Sequence, residues 1–141
     1  MSQNVHHNTE LVESKQRLMK EARRYLANGK ETVSKSPIDG KLYVDEKYVR
    51  EGAGIAYLAA LKAMDAYLVG RGVAMEALPK SIEEYWTAKK KHIPHNGKFS
   101  QSLTIAYKTL HIAAYYQGLN TVSNLKEGFQ AVREIITMLD E

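Results

Sequence analysis

The stretch from Tyr48 to Leu68, YVREGAGIAYLAALKAMDAYL, restricts the possible folds of this chain more than any other, because between Ile55 and Leu68 only Lys62 and Asp65 carry charge. A helix that is apolar on nearly every side is stable only where neighbours enclose it. The spacing therefore predicts a central helix. Asp45 is its cap and Glu46 places negative charge in its first turn, where the helix dipole favours it, while Gly70 and Gly72 end it. Two faces separate along it. Tyr57, Leu61, Met64 and Leu68 form a bulky stripe, and Gly52, Ala56, Ala60 and Ala63 form a stripe of small residues that lets another helix approach closely.

Amphipathic segments on either side supply that enclosure. A first helix, capped by Asn8 or Thr9, carries Leu11, Leu18, Ala22, Tyr25 and Val33 at helical spacing, with Met19 and Leu26 broadening the stripe. Val33 keeps the phase across Gly29, so the helix continues through that glycine and stops near Ser36, ahead of Pro37. Residues 1–8, which include His6 and His7, are expected to be a flexible tail without function. A Pro-Ile-Asp-Gly turn and Lys41 to Val44 make an ordered, partly extended connection. Val73 to Leu78 allow a short helical turn. Ser81 and Glu84 then form a capping box that starts a third, shorter helix, closed by His92, Ile93 and Pro94.

A loop from His95 to Lys98 leads to a fourth helix over about Ser100 to Gln117, stopped by Gly118. The last helix, capped by Thr121 or Ser123, has the cleanest stripe: Val122, Leu125, Phe129, Val132, Ile136 and Leu139. Four long helices and one shorter helix, joined by short connections, predict an all-α fold. Residues 9–141 are expected to form a single antiparallel up-and-down bundle.

Composition removes several classes of function. The 141 residues suit one domain, and the absence of cysteine excludes disulfides, thiol nucleophiles and thiolate metal sites. No basic segment followed by an apolar run opens the chain, and no apolar stretch reads as free enough of charge to span a bilayer, so a soluble cytoplasmic protein is expected, with no membrane partner. The net charge of +4 is concentrated: Lys80, Lys89, Lys90, Lys91 and Lys98 face only Glu83 and Glu84 over that stretch. Such a patch attracts phosphates, although cations also gather at helix C-termini because the dipole favours them there.

The fourth helix holds the side chains with most chemistry. Tyr107, His111 and Tyr115 recur at every fourth position and share one face, with Tyr116 beside them. Each has an apolar body and a polar tip that needs a partner when buried. Asp65, isolated on the central helix, is the expected partner. Two readings follow: a polar pocket in which His111 binds a ligand or moves a proton, or a buried network of Asp65, His111 and tyrosines that fixes helix register.

Catalytic signatures are missing. Gly52-Ala53-Gly54 lies within a helix instead of between a strand and a helix, where a phosphate loop must sit. Pro94 disrupts the helix between His92 and His95, the closest histidine pair, so no metal site is expected. No serine lies in a nucleophile-elbow motif. Neither a cofactor nor a catalytic residue is assigned.

The runs DEKYVREGAGIAYLAALKAMDAYL, YKTLHIAAYYQG and LKEGFQAVREII resemble a small family of uncharacterised bacterial helical proteins, which is in turn similar to HEPN-type bundles, the higher-eukaryote and prokaryote nucleotide-binding domains. The resemblance spans roughly Leu11 to Ile136. Ribonuclease members of that group carry an arginine followed within a few residues by a histidine, and no arginine precedes His92, His95 or His111 in that way. The resemblance therefore implies the non-catalytic side of the group: homodimeric bundles that partner nucleotidyltransferases or bind nucleotide or RNA. Asp65, Tyr107, His111 and Tyr115, with Lys89, Lys90 and Lys91, are the expected ligand-binding residues. The alternative is a structural, self-associating bundle without a small-molecule site, in which the alanine and glycine face or the last helix forms the two-fold interface.

Overall fold

A computed structural model describes residues 2–140, with side chains from residue 8 onward. The side chains of His6 and His7 lie outside the described residues. The fold is all-α, with one two-stranded ribbon. Helix α1 spans Ser2–Ser34, α2 Glu46–Gly70, α3 Ile82–His92, α4 Gly97–Ile105 and α5 Val122–Leu139. Without a break, α4 continues into a π-helical segment, Ala106–Tyr116, so the two together act as one long rod. The bundle thus has four long helical rods and the shorter α3.

Helix α2 is the centre, as its composition requires. Ala53, Ala56, Ala59, Ala60, Ala63, Met64 and Ala66 are all fully buried. Its length and apolarity reach those of a membrane-spanning helix, contrary to the sequence expectation, but 61% of the apolar window is buried by the chain's own helices. Its most extensive partner is α1, followed by the π segment and α5. The small-residue stripe explains this. A Cβ on Gly29 would lie 2.7 Å from the Gly52 carbonyl oxygen, and one on Gly52 would lie 2.5 Å from the Gly29 carbonyl oxygen. The two backbones touch where both residues lack side chains, so Gly29 is retained in mid-helix for close packing despite its cost of about 1 kcal/mol in helix propensity. This face is filled by α1 and is not free to form an interface between copies.

Several local expectations hold. Asp45 accepts from the Lys47 N–H at 3.1 Å, and Ser81 accepts from the Glu84 N–H at 3.2 Å. Gly72 and Gly118 take positive φ at helix ends. A 3-10 turn forms at Met75–Ala77. Others shift. Helix α1 starts at Ser2 and runs through the segment expected as a tail, so neither Asn8 nor Thr9 caps it. The loop read between His95 and Lys98 is shorter, because Asn96 accepts from the Phe99 N–H at 2.9 Å and opens α4 at Gly97. Thr121 stands at the cap position of α5 without a side-chain bond to the helix.

The connection from α1 to α2 is a hairpin, β1 Ile38–Asp39 against β2 Leu42–Tyr43, turned at Gly40 with φ of 62°. Ser36 is buried there, its hydroxyl accepting from the Asp45 N–H at 2.8 Å. The hairpin also holds the start of α5: the Asn120 amide donates to the Tyr43 carbonyl at 2.9 Å, and the Val122 N–H donates to the Lys41 carbonyl at 3.0 Å.

Candidate functional site

Four rings meet where the π segment crosses α2. Tyr57 of α2 stacks on His111 with ring centroids 4.6 Å apart and planes 23° from parallel. Along the π segment, Tyr107 and His111 lie 5.7 Å apart and His111 and Tyr115 5.8 Å apart, the latter pair within 10° of parallel. Tyr57 and Tyr107 close the group at 6.1 Å. The fourfold spacing read in the sequence therefore yields a continuous column of rings. A π-helical run this long is uncommon, and such segments concentrate at functional sites. Its end is fixed from α2: Arg50 donates to the carbonyls of Tyr115 and Tyr116 at 3.3 and 3.2 Å and is itself held by Glu46.

Beside the column lies a cleft of about 310 Å³ lined by Glu51, Gly54, Ile55, Tyr57, Leu58, His111 and Tyr115. Gly54 creates it. A Cβ there would lie 2.9 Å from Tyr115 Cδ1, so the Tyr115 ring rests on α2 only because position 54 has no side chain. Tyr57 is the inner wall, 6% exposed, and burial pushes its phenol up to about 12, with Tyr107 and Glu83 adding to the shift. Tyr115 is the outer wall, 46% exposed. The walls are mostly apolar and aromatic, and Glu51 is the one charged residue among them.

Asp65 is elsewhere. Its carboxylate accepts from the Tyr85 hydroxyl of α3 at 2.9 Å, so the pairing with His111 expected from sequence does not form. The reason is position along the helix: Asp65 lies on nearly the same face as Gly54 but about 16 Å further toward the C-terminus of α2, where α3 supplies the partner. Burial raises the Asp65 carboxyl to about 6, against the opposing effects of the Tyr85 bond and Lys62. Burial and the neighbouring Asp65 charge push the Tyr85 phenol up strongly. The pair is a structural tie between α2 and α3. Asp65 therefore does not orient His111, and among the described residues no three His, Asp or Glu side chains cluster at metal-binding range.

The lysine patch is also separate. Lys89, Lys90 and Lys91 occupy the last turn of α3, where Lys91 and His92 border a cavity with Leu68 and Val73. Burial, with Lys91 and Arg71 nearby, lowers the His92 imidazole. From Ile55 to Leu68 is about 20 Å along α2, so these lysines and the aromatic cleft do not form one site.

Over residues 17–141 the sequence matches a protein family described as a domain of unknown function, DUF5618. The chain belongs to that family. A solved structure of a protein of unknown function from Dyadobacter fermentans is 27% identical, with a TM-score of 0.76, over 90% of this chain and 97% of that one. No curated relative matches the sequence. The DUF5618 match begins at Arg17, within α1, and includes every residue of the cleft. Neither description names an activity, a ligand or a partner.

Of the expected site residues, then, the fold brings Tyr107, His111 and Tyr115 together and leaves Asp65 and the three lysines apart. Tyr57, Gly54 and Leu58 complete the cleft. Tyr57 reads in the sequence only as one of the bulky core stripe, and Gly54 only as one of three small residues in a row. One signal points to them: Gly54 and Leu58 are four residues apart, on a face adjoining Tyr57, and Leu58 remains 47% exposed on an otherwise enclosed helix.

Proposed function

We propose that this protein is a non-catalytic, cytoplasmic binding module of the HEPN kind, whose aromatic cleft takes a flat ring such as the base of a nucleotide or of single-stranded RNA. The observation that supports the reading is the ring column itself, ending in a half-exposed Tyr115 above an open cleft. Aromatic side chains with an open ring face accept bases of any identity, and each such stack contributes about 1–3 kcal/mol. Glu51, the one charged residue lining the cleft, suits an exocyclic amine, and the phosphates would point away from it into solvent. A nucleotidyltransferase partner is the corresponding role at the level of an assembly.

Equilibrium binding of adenosine monophosphate and of a short single-stranded RNA tests this reading. Tyr115→Ala should weaken binding roughly tenfold or more, and Lys89→Ala with Lys90→Ala and Lys91→Ala should leave it within about twofold. No measurable binding by the wild-type chain would overturn the proposal.

A second reading rests on a different observation. Leu58 and Tyr115 are 47% and 46% exposed at the cleft, and Tyr116, next in the chain, is 72% exposed, apolar surface suited to a two-fold contact between copies. Sedimentation over a concentration series tests it. A dimer dissociated by Leu58→Ser and Tyr116→Ser would support self-association, and a monomer throughout would remove it.

A further inference from the structure

A second groove lies on another face, between α1 and α5. Two adjoining cavities of about 330 Å³ each share Lys30 and Arg133, one bordered also by Arg23, Leu26 and Ile136, the other by Val33, Lys126 and Phe129. The helices run antiparallel there, with Arg23 of α1 ion-paired to Asp140 just past α5. No carboxylate lines either cavity. Lys30 and Lys126 have no ion pair among the described residues, and Arg133 bonds only to the neutral Gln130 on its own helix.

The spacing of the walls is regular. On α1, Arg23 and Lys30 are seven residues apart, as are Leu26 and Val33; on α5, Lys126 and Arg133 are seven apart, as are Phe129 and Ile136. Seven residues are two helical turns, about 10.5 Å. Each helix therefore presents an apolar pair toward the floor and a cationic pair on the rim, repeating at the period of a coiled-coil seam. Two antiparallel helices with such walls leave a trough fitted to a third helix.

We infer that this trough is a docking surface for an acidic amphipathic helix of a partner protein, its apolar stripe on the seam and its carboxylates on the flanks meeting Lys30, Lys126 and Arg133. The inference is independent of the aromatic cleft. A helix is favoured over a nucleic acid because the floor is aliphatic and aromatic, with the cations confined to the rims. The floor is already nearly closed, with Leu26 and Phe129 each 8% exposed and Ile136 5%. The rim charges must supply much of the affinity, which makes the association strongly dependent on salt.

Fluorescence anisotropy with a labelled 21-residue heptad peptide, bearing Leu and Ala on one stripe and Glu on both flanks, tests this, beside the same peptide with Lys for Glu and a 20-nucleotide single-stranded RNA. The acidic peptide should bind, lose at least tenfold in affinity between 50 and 300 mM salt, and lose at least tenfold on Lys30→Glu with Lys126→Glu, two exposed positions whose replacement should leave the melting temperature nearly unchanged. The Lys peptide should not bind. Arg133→Gln provides a milder variant if charge reversal perturbs folding, and it should weaken binding severalfold. An acidic peptide that fails to bind, or binds equally to the variants, overturns the inference; so does RNA binding that Lys30→Glu and Lys126→Glu abolish while the peptide shows none, which would assign the trough to phosphates.

Discussion

Helix α2 uses glycine in two opposite ways within a single turn. At Gly52 the missing side chain admits the backbone of α1, and the contact is closed on both sides: Gly29 meets Gly52, and Val33 lies over it. At Gly54 the missing side chain seats Tyr115, but that ring stays 46% exposed, and the space beside it is the cleft. One side of α2 is committed to the fold, and the other is committed only as far as its inner ring, Tyr57. A single helix can thus hold a bundle together with one face and leave the opposite one for a partner, and the separation follows from which neighbour each small residue admits.

That contrast can be broken most strongly at the closed side. Gly52→Val should destabilise the fold by about 3 kcal/mol or more, since backbone atoms of α1 would have to move, read as a lower urea midpoint of Trp86 fluorescence. Gly52→Ala should still cost about 2 kcal/mol, because even one methyl group meets the Gly29 carbonyl, and alanine's better helix propensity does not offset that clash. Arg50→Ala comes next. It removes the bonds to the Tyr115 and Tyr116 carbonyls and should cost about 1 kcal/mol, with faster amide exchange over residues 117–119.

Asp65 offers a probe further along the same helix, where Tyr85 of α3 meets it. Its folded carboxyl, raised to about 6 from 3.8, holds its proton to a higher pH than the unfolded one does. The fold therefore binds more protons than the unfolded chain across that interval, so the stability contributed by neutral Asp65 is complete below about pH 4 and is lost as pH rises through about 6. Relative to Asp65→Asn, the wild type should lose on the order of 1 kcal/mol between pH 4 and 7, after allowance for partial exposure to solvent. Equal pH profiles for the two proteins would remove Asp65 as the source. The smallest effect belongs to the open side: Gly54→Ala should change stability by less than about 1 kcal/mol, the gain in helix propensity offsetting the displaced Tyr115, while ligand binding at the cleft falls. A loss at position 54 as large as that at position 52 would erase the distinction between the two faces.

The features legible in sequence were those with a period or a cap. The enclosed α2, the stripe on α5, the capping box at Ser81 and the small-residue face each follow from local pattern, and each occupies its expected place. The shared face of Tyr107, His111 and Tyr115 was legible for the same reason. Its partner was not. Which helix covers a given stretch of that face depends on how far along α2 each neighbour packs, and no local pattern distinguishes Tyr85 from His111 as the group that meets Asp65. The π-helical widening after Ile105 has no marker in the residues that form it. The heptad match between Arg23 and Lys30 on α1 and Lys126 and Arg133 on α5 becomes visible only once the two helices lie side by side.

The most direct test of the open face is ¹³C-resolved aromatic NMR of the tyrosine and histidine rings during titration with adenosine monophosphate. Ring-current shifts at Tyr115 and His111, smaller ones at Tyr57, none at Tyr85, and their disappearance in Tyr115→Ala are the expected result. Shifts confined to Tyr85 and the lysine end of α3, or no shifts at saturating nucleotide, would contradict the assignment of the cleft as the binding surface.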